Sequence, residues 1–152
     1  MELPHGVSKL GRPMAVERTL ILIKPDAMQR QLAGEILRRF EERGLALRAA
    51  KLVRVDRDLA ERHYDVHREK PFFGELIEFI TSGPTLALVL EGEGAIATCR
   101  RTIGATNPAD ADPGSIRGDL ALSMPDNLVH GSDSAETAEE EIALWFADHE
   151  LV

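Results

Sequence analysis

Hydrophobic and polar positions alternate in short blocks whose spacing changes along the chain. The first ordered block, Thr19-Leu20-Ile21-Leu22-Ile23, is β-branched and Leu-rich and ends at Lys24-Pro25. That pattern predicts a buried strand. Leu32, Ile36, Leu37 and Phe40 then recur at helical spacing, with Gly44 as the C-terminal cap. Leu45 to Val55 predicts a second strand with a bulge. Asp56 or Asp58 caps a helix expected to run to about His67. Pro71 interrupts it, and Phe72 to Ile80 predicts a further helix closed by Ser82-Gly83-Pro84. Thr85 to Leu90 is the expected third strand and Ala95 to Ile103 the next helix. Residues 104–117, rich in Gly, Pro, Asn and Asp, predict a long loop, of a length uncommon unless functional. Leu120 to Ser123 is the expected fourth strand. The last helix opens at the capping-box-like Asp133-Ser134-Ala135-Glu136, with Ala138, Ile142, Trp145 and Phe146 on its apolar face.

Reduced to its core, this order is βαββαβ. The expected fold class is therefore α+β, ferredoxin-like, with a four-stranded antiparallel sheet covered by helices. Residues 1–15 carry Pro4, Gly6, Gly11 and Pro13 without periodicity and read as a flexible tail. Residues 16–152 read as a single domain, in keeping with a chain of 152 residues.

Composition sharpens this picture in a few respects. The chain is 43% hydrophobic with 12 Gly, enough apolar material for a packed core rather than disorder. Its formal net charge of −8 opposes loose binding to nucleic acid or to an anionic membrane. An aromatic content of 5% also disfavours a nucleic-acid-binding sheet of paired aromatics. A single cysteine, Cys99, makes no intramolecular disulfide and no cysteine zinc site, which suits a reducing compartment. No apolar run approaches membrane-spanning length, and the N-terminus has no apolar signal region. A cytoplasmic location is expected.

Gly92-Glu93-Gly94-Ala95-Ile96-Ala97 matches the G-x-G-x-x-G/A pattern of dinucleotide-binding turns. The split βαβ order and the anion at Glu93 argue instead for a plain helix entry. Asn127-Leu128-Val129-His130-Gly131-Ser132-Asp133-Ser134 is sharper. A neutral imidazole can attack without costly deprotonation, and Gly131 permits close approach. Glu139, Glu140 or Glu141 could accept from the second imidazole nitrogen and so aim it. Against this stands an ordinary structural histidine beside a helix cap. His63 and His67, one helical turn apart, read as a solvated helix face rather than metal ligands, since no third ligand is evident. Lys24 at a strand end and Arg117 at a loop end would form a phosphate clamp if they converge. Of the adjacent Phe72 and Phe73, one is expected in the core and the other on an exposed stacking surface. Cys99 reads as a small buried hydrophobe.

Taken together, Lys24-Pro25-Asp26, His63-Tyr64, Lys70-Pro71-Phe72-Phe73, Thr81-Ser82-Gly83-Pro84, Thr106-Asn107-Pro108-Ala109-Asp110, Ile116-Arg117-Gly118-Asp119 and the segment Asn127 to Ser134 resemble the nucleoside diphosphate kinase family in order and spacing. The resemblance covers about residues 16–150. It implies transfer of the γ-phosphate of a nucleoside triphosphate, mainly ATP, to a nucleoside diphosphate by a ping-pong mechanism. His130 would carry the phosphoryl group as phosphohistidine. Glu141 would orient its imidazole, helped by Ser132, and Tyr64 would support the site. Lys24 would contact the ribose 3′-hydroxyl and the terminal phosphate. Arg100, Thr106 and Arg117 would hold the phosphates, with His67 close to them. Phe72 would stack on the base and Asn127 would bind the ribose. Mg²⁺ would accompany the nucleotide, held mainly by its phosphates, with no protein metal ligands. The implied assembly is a homo-oligomer, a hexamer or tetramer built from dimers, and the implied partners are nucleotides, with no nucleic acid and no membrane. Lys70 stands where Arg is common in the family, and Leu120 where Phe is common. Members of the family begin near Met14-Ala15-Val16-Glu17-Arg18-Thr19, which makes Met14 one candidate start and leaves the start open.

Overall fold

A computed structural model describes residues 15–152; the expected tail, Met14 included, lies outside the described residues save for Ala15. The strands are β1 (Val16–Ile23), β2 (Ala46–Arg54), β3 (Pro84–Glu93) and β4 (Val129–Gly131). They form one sheet in the order β2-β3-β1-β4, and every neighbouring pair is antiparallel. The helices are α1 (Pro25–Gln29), α2 (Ala33–Glu42), α3 (Arg57–His63), α4 (Phe73–Thr81), α5 (Ala95–Ile103), α6 (Ile116–Leu120) and α7 (Ala135–Trp145). The expected α+β class and βαββαβ core are both present.

Strand β1 explains the layering. Leu20 and Leu22 pack on one face with Ala60, Ile77, Ile80 and Trp145. Ile21 and Ile23 pack on the other with Ile36, Phe40, Cys99 and Ile103. Helices therefore cover both faces, which is why β1 reads as a continuous apolar run rather than an alternating one. All of these side chains are essentially inaccessible to solvent.

Local chemistry sets the helix starts. Pro25 opens α1, where its missing N–H costs nothing. The Asp56 carboxylate accepts the Leu59 N–H at 2.8 Å, so Asp56 rather than Asp58 caps α3. Ser115 Oγ accepts the Gly118 N–H at 3.0 Å, and Ser134 Oγ accepts the Thr137 N–H at 3.1 Å. The bulge expected in β2 lies between Leu47 and Ala49. Gly44, at φ +86°, ends α2 in the left-handed region that favours glycine.

Several expectations are corrected. Residues 120–123 are not a strand: Leu120 ends α6, and the fourth strand is the three-residue segment around His130. So short a strand carries no periodicity and exists only through its pairing with β1. The helix after Asp56 stops at His63, and His67 lies on a separate 3₁₀ turn, Asp65–His67. The third strand is longer than Thr85 to Leu90. The segment 104–117 holds a 3₁₀ turn, Pro108–Asp110, and the start of α6.

Gly118 permits the tight return of this segment. A Cβ there would lie 1.9 Å from the Asp112 carbonyl oxygen. Backbone cannot yield as a side-chain tip can, so Gly118→Ala should lose about 2 kcal/mol or more in chemical denaturation. An unchanged midpoint would contradict the packing described here.

Candidate active site

Strand β4 carries His130 opposite Leu22 of β1, with Val129 opposite Ile23 and Gly131 opposite Ile21. Alternation along the strand turns His130 away from Val129 and toward the layer of α3, α4 and α7. The strand lies close to α5: a Cβ on Gly131 would meet Ile103 Cδ1 at 2.7 Å. The His130 side chain stays 27% exposed.

Its Nε2 lies 2.9 Å from Glu141 Oε1. The Ser132 hydroxyl donates to the same oxygen at 2.7 Å, while its own oxygen accepts the Leu20 N–H at 3.3 Å. Burial would raise the Glu141 carboxyl, but the hydrogen bonds from His130 and Ser132 outweigh it and hold the group below the usual carboxylate range. An ionised carboxylate only accepts, so His130 Nε2 carries the proton and Nδ1 is left with its lone pair. The structure thus selects Glu141 over Glu139 and Glu140, which face solvent. A signal for this lies in the helix: Glu141 stands three residues after Ala138 and four before Trp145, on the buried stripe.

His63 corrects an expectation. It is not on a solvated face but packs edge-on against Tyr64, His130 and Trp145, with ring centroids 4.8, 4.9 and 5.5 Å away. The i,i+4 argument fails because α3 ends at His63. Burial, then the charge of His130, push the His63 imidazolium down to about 3. Trp145 Nε1–H donates to His63 Nδ1 at 3.1 Å. In the neutral ring that places the proton on Nε2. Donor atoms of His63, His130 and Glu141 lie within 4.8 Å of one another. The fixed proton and the Glu141 hydrogen bond make this trio a poor metal cage, because ligation through His63 Nε2 would force a proton onto Nδ1 against the Trp145 N–H.

On the other side, the two cations expected as a clamp do converge. Lys24 Nζ donates to Asn127 Oδ1. Arg117 Nε donates to Asn127 O at 3.1 Å, Nη1 to Gly104 O at 3.2 Å and Nη2 to Val129 O at 2.6 Å. Arg100 Nη1 donates to Gly131 O at 3.2 Å. Asn127 Nδ2 donates to Thr106 O at 3.0 Å, which ties the 104–117 segment to the site. Lys24 is 8% exposed, Arg117 4% and Asn127 4%. Burial and the Arg117 charge bring Lys24 down to about 8, against the opposing pull of Asp26 and Asp126. Burial and the Arg100 charge bring Arg117 down to about 10. A guanidinium has five N–H groups, so the three bonds to carbonyls leave donors to spare.

At the outer edge, Phe72 is 42% exposed while Phe73 joins the core, as the pair predicted. His67 lies 5.6 Å from Phe72 between ring centroids, and its buried Nδ1 has no hydrogen-bond partner. Tyr64 packs edge-on against His63, and burial raises its hydroxyl to about 12. Cys99 is buried, as expected, and burial raises its thiol to about 12. Gly94 starts α5 from the left-handed region, and Gly92 lies against Leu45, a plain helix entry. Sequence reasoning missed His63, Trp145 and Asp26 as parts of the site. A separate surface cavity of about 500 Å³, lined by Arg39, Arg101 and Asp119, holds none of the His130 constellation, and Arg39 is already paired there with Glu35 and Asp119.

The depressed His63 value has a consequence for stability. Below the ordinary histidine value near 6.5 the unfolded chain takes up a proton that the folded chain refuses. His63 therefore costs stability as pH falls from 6.5 toward 3, by up to about 1.4 kcal/mol per pH unit. Denaturation of the wild type and of His63→Phe should show stability converging in favour of the variant as pH drops from 7 to 5. Parallel curves would contradict a neutral, buried His63.

Comparison with known proteins follows the same lines. The family model described as nucleoside diphosphate kinase matches residues 17–151. The nucleoside diphosphate kinase of Rubrobacter xylanophilus is 63% identical over 131 residues, covering 86% of this chain and 98% of that protein. That of Nostoc punctiforme is 58% identical over 137 residues, covering 90% and 92%. Among solved structures, the Aquifex aeolicus nucleoside diphosphate kinase aligns with a TM-score of 0.88 at 47% identity, covering 91% of this chain and 100% of that one. A halophilic nucleoside diphosphate kinase from Halobacterium salinarum, in complex with CDP, aligns with a TM-score of 0.88 at 48% identity, covering 91% and 92%. Among the described residues no helix is long and apolar enough to cross a membrane. On the match across nearly all described residues, the chain belongs to the nucleoside diphosphate kinase family, a family of phosphotransferases.

Proposed function

We propose that the chain transfers the γ-phosphate of a nucleoside triphosphate to a nucleoside diphosphate in two half-reactions, with His130 Nδ1 carrying the phosphoryl group between them. The observation that carries this reading is the pairing of His130 Nε2–H with Glu141, which leaves the Nδ1 lone pair unused on a strand whose flanking carbonyls, Val129 O and Gly131 O, are held by Arg117 and Arg100.

In the first half-reaction the Nδ1 lone pair attacks the γ-phosphorus and the bond to the bridging β-γ oxygen breaks. The nucleoside diphosphate leaves with that electron pair. The imidazole ring, still protonated at Nε2, gains positive character, and the ionised Glu141 stabilises it without taking the proton. In the second, an oxygen of another nucleoside diphosphate's terminal phosphate attacks the phosphohistidine, and the P–N bond electrons return to Nδ1. Charge spreads over the phosphoryl oxygens in both transition states, so fixed cations act there most strongly. Lys24, Arg100 and Arg117 are assigned that work, with Lys24 also on the leaving oxygen and the ribose 3′-hydroxyl. Thr106 and His67 belong to the phosphate edge, and Asn127 to the ribose. Tyr64 supports His63, which packs on His130.

The one carboxylate in the His63–His130–Glu141 group, Glu141, is already committed to hydrogen bonds with His130 and Ser132, so Mg²⁺ belongs to the nucleotide substrate, where it neutralises phosphate charge. The half-exposed Phe72 offers one face to a base and no edge hydrogen bonds, which suits broad nucleoside tolerance. A nucleotide-binding site of this kind also agrees with the CDP complex of the halophilic relative. We assign the protein to the cytoplasm and to a homo-oligomer, a hexamer or tetramer built from dimers, and residues 16–152 to one domain.

Incubation with γ-³²P-ATP and Mg²⁺ without acceptor should label the wild type with acid-labile, alkali-stable phosphate that leaves as GTP on adding GDP. His130→Ala should take no label. Wild-type protein that binds ATP yet takes none would overturn the kinase reading in favour of a binding module. Phe72→Ala should raise KM roughly tenfold for purine and pyrimidine nucleotides alike with kcat largely kept, since a stacked base is worth about 1–3 kcal/mol. A loss confined to one base would contradict stacking as the means of recognition.

A further inference from the structure

Asp26 stands in the first turn of α1, two residues beyond Lys24. Its Oδ2 accepts the N–H of Leu128 at 2.9 Å. Leu128 has φ +71°, a left-handed conformation that costs a bulky residue about 1–2 kcal/mol and persists only where its surroundings enforce it. The carbonyl of the same residue accepts the Lys24 N–H at 2.9 Å. Leu128 is thus clamped by its N–H and its C=O to the turn that joins β1 to α1. On one side of it Asn127 turns its amide to Lys24 Nζ; on the other, Val129 begins the pairing that sets His130 opposite Leu22.

The second carboxylate oxygen, Oδ1, is buried without a hydrogen-bond partner. The charge of Asp26 is felt by the buried cations Lys24 and Arg117. Lys24 feels Asp26 on α1, Arg117 on α6 and Asp126 in the segment before β4. His63 on α3 feels Lys24, and the Phe79 ring on α4 lies 5.4 Å from Nζ. Asp26 acts on both Lys24 and Arg117, opposing the effect of their burial.

The geometry points to Asp26 as a positioning residue for phosphoryl transfer: it pins the Leu128 turn so that Asn127 and His130 face Lys24, and it sets one negative charge beside the two buried cations. This rests on the function proposed above. Asp26 touches no substrate; it acts through the backbone of Leu128 and the charge of Lys24.

Two substitutions separate the parts. Asp26→Asn keeps an oxygen to accept the Leu128 N–H and removes the charge. Asp26→Ala removes both. Steady-state kinetics on the full chain from pH 6 to 10, with thermal melts, supply the readouts. The wild type should lose kcat/KM along an alkaline limb near pH 8, as Lys24 of the free protein deprotonates. Asp26→Asn should keep KM within about twofold at pH 7 and move that limb down by about one pH unit. Asp26→Ala should lose a further tenfold to hundredfold in kcat at every pH, the cost of misplacing reacting groups by about an ångström. Should the Ala variant not fold, the Asn variant decides the charge role, and Asp26→Ala combined with Leu128→Gly, which adopts the left-handed turn unaided, decides the positioning role by whether kcat is still lost. A folded Asn variant with the wild-type limb, or a wild type with no limb near pH 8, would overturn the charge role. A folded Ala variant with wild-type kcat would overturn the positioning role. Wild-type protein that takes no label from γ-³²P-ATP would instead overturn the underlying function, so the two failures are distinguishable.

Discussion

The Glu141 carboxylate is where chain, charge and chemistry meet. One of its oxygens receives both the His130 Nε2–H and the Ser132 hydroxyl, and the Ser132 oxygen is in turn held by the backbone of β1. Hydrogen bonds to the ionised form more than offset the cost of burying it. An acceptor locked in that state dictates the His130 tautomer. Everything around it serves this geometry. The two-sided burial of β1 fixes the strand that β4 pairs with, and the capped α7 brings Glu141 to the right height.

A second constraint is electrostatic. The protein carries a net charge of −8, yet its site concentrates Lys24, Arg100 and Arg117 within one region. Buried like charges repel, and the fold supports them with carbonyl oxygens from Gly104, Asn127, Val129 and Gly131 and with the Asp26 carboxylate. Such a region is poorly solvated and short of anions, so an entering phosphate gains more there than at an exposed basic patch. An acidic exterior and a cationic site are compatible because the site is built by burial rather than by overall charge.

Much of this was legible along the chain. The apolar block at 19–23, the helix at 95–103 and the bulge in β2 are local events, decided by spacing, and each stands where expected; the cap of α7 falls one residue later than the Asp133–Glu136 box suggested, on Ser134. The fourth strand was not, because Val129-His130-Gly131 has no pattern of its own and is a strand only beside β1. His63 was misread because a helix that stops at His63 cannot carry the i,i+4 face that His67 would need. On local features Glu141 was level with Glu139 and Glu140, although its phase on the buried stripe distinguishes it, and it was the family resemblance that singled it out. The meeting of Lys24 with Asn127 is a contact across about a hundred residues that periodicity could not reach; the placement of Lys24 at a strand end and Arg117 at a loop end raised a clamp only on condition that they converge, and Asn127 entered through the family resemblance alone.

The central claim is that Glu141 fixes the proton on Nε2 and so makes Nδ1 the phosphoryl acceptor. The direct measurement is ¹⁵N and ³¹P NMR of the phosphorylated protein with ¹⁵N-labelled histidine. One-bond coupling of phosphorus to Nδ1 of His130, with Nε2 still protonated, is the predicted result. Phosphorus bonded to Nε2 would contradict the account.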